Sequence, residues 1–120
     1  QMKKFMGRHL LVDVYGVGKE KLTDRKSLTR FLGDFPKELK MRAVRKPIIS
    51  KISSTNHPNS GFSGFVILYE SHISFHTWPE ENYIALDVYS CNDFSEKRTI
   101  KYIKRYFETN DMKIKSIMRG

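Results

Sequence analysis

The 120-residue chain has a single cysteine, Cys91, so neither an intramolecular disulfide nor a cysteine-based metal cluster can be built within it. Long apolar runs are missing as well. Hydrophobic residues make up 39% of the chain and charges interrupt them throughout, so no segment approaches the roughly 20 apolar residues of a membrane span. Residues 1–16, QMKKFMGRHLLVDVYG, begin with basic residues but lack a long apolar stretch followed by a small-residue cleavage site. That segment does not read as a secretory signal, and a cytoplasmic location is expected. Acidic side chains are in deficit: 13 Asp and Glu against 22 Lys and Arg leave a formal net charge of +9. Such an excess attracts phosphates through counterion release, which keeps a non-enzymatic nucleic-acid-binding module among the readings. The basic residues are nevertheless scattered and follow no recognised nucleic-acid motif, so a solvated basic surface is the expectation. Internal repeats, low-complexity tracts and linkers are also absent, and one domain over residues 1–120, built on a single core, is expected.

What is present reads as alternating strands with two helical stretches. Residues 8–15 are rich in Leu and Val and form a strand ended by Gly16 and Gly18. From Thr23, with Thr23 or Asp24 as N-cap, Leu28, Phe31, Leu32 and Phe35 recur at helical spacing, and Gly33 and Pro36 divide or end that helix. Residues 48–55, 62–68, 73–78 and 83–90 read as strands, and NHPNSG at 56–61 as a turn or loop. Asn92 and Asp93 are placed to cap a helix carrying Ile100, Ile103 and Phe107, and residues 112–118 close the set as a strand. Short connections between neighbouring strands favour antiparallel pairing. The expected fold is an α+β two-layer sandwich, a mainly antiparallel sheet with helices on one face.

The chemistry-bearing stretch is residues 63–91, SGFVILYESHISFHTWPEENYIALDVYSC, which gathers Ser63, Glu70-Ser71, His72, His76, Trp78 and Cys91 around consecutive strands. Each residue alone has an ordinary reading. A serine by a turn is usually only polar, a histidine usually satisfies local hydrogen bonds, and a lone cysteine is usually a small buried residue. Taken together, however, ESHISFHTWPE at 70–80, GRHL at 7–10, SG at 63–64 and the strand ending in Cys91 resemble prokaryotic S-adenosylmethionine decarboxylase proenzymes, a pyruvoyl-dependent family. The motifs occur in a consistent order over most of the chain.

The resemblance implies that the Glu70-Ser71 bond breaks, giving residues 1–70 and 71–120, with Ser71 converted to a covalent pyruvoyl group. Ser71 Oγ would attack the Glu70 carbonyl carbon and replace the peptide bond by an ester, with Ser63 as donor to the developing oxyanion. Loss of the Ser71 α-proton to His76 would follow. The pyruvoyl ketone would then form a Schiff base with a substrate amine and serve as electron sink, with no pyridoxal phosphate and no metal required. Cys91 matches the family's proton donor, and thiols can deliver protons near neutral pH. The resemblance also implies a homodimer of facing sheets, a four-layer assembly with active sites near the interface.

For S-adenosylmethionine as the small-molecule substrate, Glu80 resembles the family's ribose-binding glutamate, and Trp78 offers an aromatic face to the sulfonium. The family carries a Phe upstream of the SG motif that this chain lacks, leaving His57 by stacking, or Phe62, to take its place. Glu81-Asn82 likewise stand where the family commonly has an aromatic residue and a glycine. An acidic pocket at Glu80 or Glu81 would instead suit arginine or ornithine, the substrates of related decarboxylases. Strand parity adds a constraint. In an unbroken strand from Ser71 to Trp78, His76 faces away from Ser71, so Ser71 is expected in a turn, a bulge or at a strand end.

Overall fold

The computed structural model describes residues 5–52 and 61–120, and its elements follow the alternation of apolar side chains. In chain order they are β1 (Gly7–Val14), α1 (Lys19–Thr23), α2 (Arg25–Glu38), β2 (Ile48–Lys51), β3 (Phe62–Leu68), β4 (Ser71–Trp78), β5 (Tyr83–Ser90), α3 (Glu96–Phe107) and β6 (Met112–Arg119). A one-turn 3-10 helix, Pro79–Glu81, joins β4 to β5. The strands form one six-stranded sheet in the order β2-β3-β4-β5-β1-β6, antiparallel at every pairing. Helices cover one face, giving the expected α+β two-layer arrangement.

Successive side chains of a strand point to opposite faces, so period-two patterning decides which face the helices cover. Leu10, Val12 and Val14 of β1, Ile73 and Phe75 of β4, and Ile84, Leu86 and Val88 of β5 are buried on one side. Leu28, Phe31, Leu32 and Phe35 of α2, with Tyr102, Ile103 and Phe107 of α3, close over them. Phe31 is the hub. Its ring centroid lies 5.1 Å from Phe35, 5.2 Å from Tyr102, 4.8 Å from Tyr106 and 4.9 Å from Phe107, and its carbonyl accepts the Tyr102 hydroxyl at 2.7 Å.

The helices depart from expectation in instructive ways. Asp24 caps α2, its carboxylate accepting from Lys26 N–H and Ser27 N–H. The helix then runs through Gly33 and Pro36 to Glu38. Burial of its apolar stripe outweighs the local cost of a glycine, and Pro36 falls in the last turn, where little helix remains to be broken. A separate short α1 carries Leu22 into the core. Ser95, and not Asn92 or Asp93, caps α3 by accepting from Arg98 N–H. β4 starts at Ser71, two residues earlier than the sequence pattern suggested.

The other face of the sheet is covered by no helix. It presents His9, Leu11 and Asp13 of β1, Phe65 and Ile67 of β3, His72, Ser74, His76 and Trp78 of β4, and Tyr83, Asp87 and Tyr89 of β5, all half-buried or exposed. Polar links tie it laterally: His9 Nε2 lies 2.9 Å from Asp87 Oδ1, and the Tyr83 hydroxyl donates to Asp13 at 2.5 Å. His72, stacked on Phe65 and near Tyr89, has its pKa lowered first by burial and then by the neighbouring His9.

Phe31→Ala is expected to cost about 3–5 kcal/mol in a denaturant titration, because it removes the ring on which both long helices converge. For His72 the folded pKa lies below the unfolded value, so the unfolded chain takes up its proton first as pH falls. Its share of stability is complete above about pH 6.5 and is lost below it, until the folded histidine protonates. Thermal midpoints between pH 7 and 5 should therefore fall less steeply for His72→Gln than for the unsubstituted protein.

Candidate active site

Leu68 pairs with Ser71 across β3 and β4, so only Tyr69 and Glu70 form the turn between them. Ser71 is thus the first residue of an unbroken β4, a strand end but not a turn or bulge, and parity turns it away from His76. Neither turn residue has a positive φ, so the connection is not one of the primed two-residue turns whose twist matches a hairpin. What orders it comes from the next strand. Ser71 lies opposite Ser90, the last residue of β5, and the chain just beyond reaches back: Cys91 N–H donates to the Glu70 carbonyl at 3.2 Å. The Ser71 hydroxyl donates to Ser90 Oγ at 2.6 Å, and Asn92 N–H donates to the same oxygen at 2.9 Å. A cleft of about 100 Å³ opens beside the turn, lined by Lys40, Met41, Arg42, Tyr69, Glu70 and Asn92 among others.

The segment carrying Cys91 is held from β1. The Arg8 guanidinium lies 4.3 Å from the Phe94 ring centroid, donates to the Phe94 carbonyl, and sits 3.9 Å from Glu96. Arg8 of the GRHL motif is therefore a clamp on the connection from β5 to α3. Gly7 of the same motif leaves room for Tyr89, since a Cβ there would come within 2.8 Å of the Tyr89 Cζ and 2.9 Å of the Ser90 carbonyl oxygen. Tyr89 in turn places its hydroxyl 3.9 Å from Cys91 Sγ, and that contact, ahead of burial, raises the tyrosine pKa. Cys91 is half-buried.

A second group of residues lies toward the opposite end of the same strands. Ser63 pairs with His76, and Ser63 Oγ sits 2.7 Å from His76 Nδ1. Gly64 beside it lies opposite Phe75, whose ring crosses β3 where any Cβ would collide with it. Trp78 continues the row, its ring centroid 6.0 Å from His76 and 5.3 Å from Tyr83. Glu80 follows, exposed, in the 3-10 turn. Asn82 ends that turn at φ 51° and donates its side-chain N–H to the Val17 carbonyl at 2.9 Å. Left-handed backbone is where glycine fits best and asparagine is tolerated, so Asn82 can do the backbone work of the glycine it replaces.

The two groups do not meet within one chain. Five residues of extended strand separate Ser71 from His76, about 16 Å, and their side chains leave opposite faces. The structure brings Glu70, Ser71 and Cys91 together, and separately Ser63, His76 and Trp78. His57 lies outside the described residues, and Phe62 points into the core. Sequence reading missed Ser90, although a signal was present: in Ile84, Leu86, Val88, Ser90 a serine occupies the place where the alternation calls for an apolar side chain. Among the described residues no three His, Cys, Asp or Glu side chains converge as metal ligands, and no helix is long and apolar enough to cross a membrane.

Known proteins share this fold and much of this sequence. A family model described as S-adenosylmethionine decarboxylase matches residues 8–120. An S-adenosylmethionine decarboxylase proenzyme of Clostridium botulinum is 36% identical over 118 residues, covering 98% of this chain and 97% of the relative. Another proenzyme of that name, from a Sulfurihydrogenibium species, is 38% identical over 110 residues, covering 90% of this chain and 75% of the relative. Among solved structures, the adenosylmethionine decarboxylase of Aquifex aeolicus superposes with a TM-score of 0.83 at 28% identity, over 98% of this chain and 93% of that one. By sequence over nearly its whole length, and by fold, the chain belongs to the S-adenosylmethionine decarboxylase family.

Proposed function

We propose that this chain is a proenzyme, one domain over residues 1–120, that cleaves its own Glu70-Ser71 bond into residues 1–70 and 71–120 and then decarboxylates S-adenosylmethionine. The observation that carries the reading is the hydrogen bond from Cys91 N–H to the Glu70 carbonyl, next to a Ser71 hydroxyl held at a strand end. When Ser71 Oγ adds to that carbonyl carbon, the oxygen becomes an alkoxide and the amide donor already in place strengthens its bond to it. Collapse breaks the C–N bond and leaves an ester. Removal of the Ser71 α-proton expels Glu70 as a carboxylate, and hydrolysis of the dehydroalanine releases ammonia and leaves a pyruvoyl group on residue 71.

The base for that proton is His76, with Ser63 bonded to it, and the 16 Å spacing supports taking both from a second copy of the chain. Two sheets packed through their uncovered faces, related by a two-fold axis perpendicular to the strands, run antiparallel. Each His76 end then lies over the partner's Glu70-Ser71 turn. Such an isologous homodimer has four layers and two equivalent sites.

Once formed, a pyruvoyl group at this position supplies an electron sink for the bond pair left by departing carbon dioxide. The surrounding residues bind and orient. Trp78 and the adjacent Tyr83 offer aromatic faces to the sulfonium, and Glu80 suits the ribose hydroxyls. Cys91, whose backbone lies opposite Glu70, returns a proton to the former α-carbon. The products are carbon dioxide and decarboxylated S-adenosylmethionine, the aminopropyl donor of spermidine synthesis.

Intact mass of purified protein should show two fragments, the second with a carbonyl-reactive terminus, and Ser71→Ala should abolish the split. Full-length protein only, unchanged by that substitution, refutes the self-processing. Co-expressed Ser71→Ala and His76→Ala chains should complement, with cleavage of the His76→Ala chain only; no cleavage overturns the shared site. Carbon dioxide release from S-adenosylmethionine, and not from arginine or ornithine, checks the substrate, and the opposite pattern overturns it.

A further inference from the structure

Ser90 has no role in the reactions described so far, yet its hydroxyl oxygen touches the nucleophile. It is fully buried, on the core face of β5, and accepts two hydrogen bonds: from Asn92 N–H at 2.9 Å and from the Ser71 hydroxyl at 2.6 Å. The first bond is the local turn that a serine at a strand end makes with the backbone two residues on, and it already satisfies the buried oxygen. The second is not required for that. Ser71 is half-buried, so full burial does not force its hydroxyl onto an internal acceptor. Even so it is drawn inward, near the short end of the O–H···O range.

We propose that Ser90 positions Ser71 for the first step of self-cleavage, a role that rests on the processing reading above. Three consecutive residues act on the scissile unit from one strand end. Cys91 N–H holds the Glu70 carbonyl oxygen, Ser90 Oγ holds the Ser71 hydroxyl, and Asn92 N–H holds Ser90. Carbonyl and nucleophile are thereby referred to one rigid segment, and a near-attack arrangement is what an otherwise unfavourable amide-to-ester shift needs. Ser90 is not the base. In the shift the Oγ–C bond forms, the C–N bond breaks, and the proton leaving Oγ ends on the departing nitrogen of Ser71. The step is an isomerisation that takes up no co-reactant. When the ester is later eliminated, the former Ser71 Oγ departs as one oxygen of the Glu70 carboxylate, so Ser90 loses this partner and acts in the proenzyme only.

The test follows conversion of freshly refolded full-length chain to its two fragments, with a thermal midpoint recorded for every variant. Ser90→Ala should slow the split at least tenfold, whereas Ser90→Thr, which keeps the hydroxyl, should stay within about threefold of the unsubstituted chain. Ser90→Ala also strips Asn92 N–H of its acceptor. Ser90→Cys, close in size but a poor acceptor, covers the case in which the alanine variant does not fold, and should lag behind Ser90→Thr at least fivefold. Hydroxylamine cleaves an accumulated ester and spares the amide, so it should not speed the split of Ser90→Ala. The inference is overturned by a folded Ser90→Ala or Ser90→Cys that splits at the unsubstituted rate, by Ser90→Thr as slow as Ser90→Ala, or by rapid hydroxylamine cleavage of Ser90→Ala. An unsubstituted chain that never splits overturns the processing reading itself, so the two failures are distinct.

Discussion

The register between β4 and β5 is the constraint on which the rest depends. With Ser71 opposite Ser90, the residue beyond β5 falls opposite Glu70, and its backbone amide meets the Glu70 carbonyl. A slip of one residue would turn every side chain of β4 to the other face, putting Ile73 and Phe75 in solvent and His72 and His76 in the core. The aromatic packing that opposes this slip therefore also aligns the proposed scissile bond. Stability and the proposed processing chemistry rest on one set of cross-strand pairs.

The same sheet keeps two environments apart. Its helix-covered face is apolar, and Ser90 and Thr77 are the buried polar strand side chains on it, each hydrogen-bonded. Its uncovered face carries His9, His72, His76, Asp13, Asp87 and a row of aromatic rings. Because extended backbone advances about 3.3 Å per residue, the proposed nucleophile at one end of β4 and the proposed base five residues on cannot converge without a second chain. Oligomerisation in the proposed mechanism is thus a consequence of strand pitch. The motif glycines serve this layout: Gly64 lets the Phe75 ring cross β3, and Gly7 lets Tyr89 approach Cys91.

Departures from the family pattern are graded by what the backbone asks. Asn82 replaces a glycine at a left-handed position that asparagine also tolerates, so the turn between β4 and β5 is kept. Gly33 and Pro36 look like helix breakers in a short window, but Phe31, Leu32 and Phe35 bury enough surface to carry α2 through both. Asn92 and Asp93 resemble caps by composition. Ser95 instead caps α3, and Arg8 holds the neighbouring Phe94 by its carbonyl and ring.

Patterning of side chains by itself determined the number of strands, their antiparallel neighbours and the face that becomes core, since period two and period 3.6 are local properties. It also showed that an unbroken strand from Ser71 to Trp78 turns His76 away from Ser71, and it left a turn, a bulge or a strand end open for Ser71. Tertiary structure alone decided which distant residues attend Ser71. Ser90 and the Cys91 amide are brought to it by strand register, a sum of packing over the whole sheet, and Ser63 and His76 are kept from it by the same register. A donor that is a backbone N–H leaves no mark in a list of side chains, and for that reason it had to be seen folded.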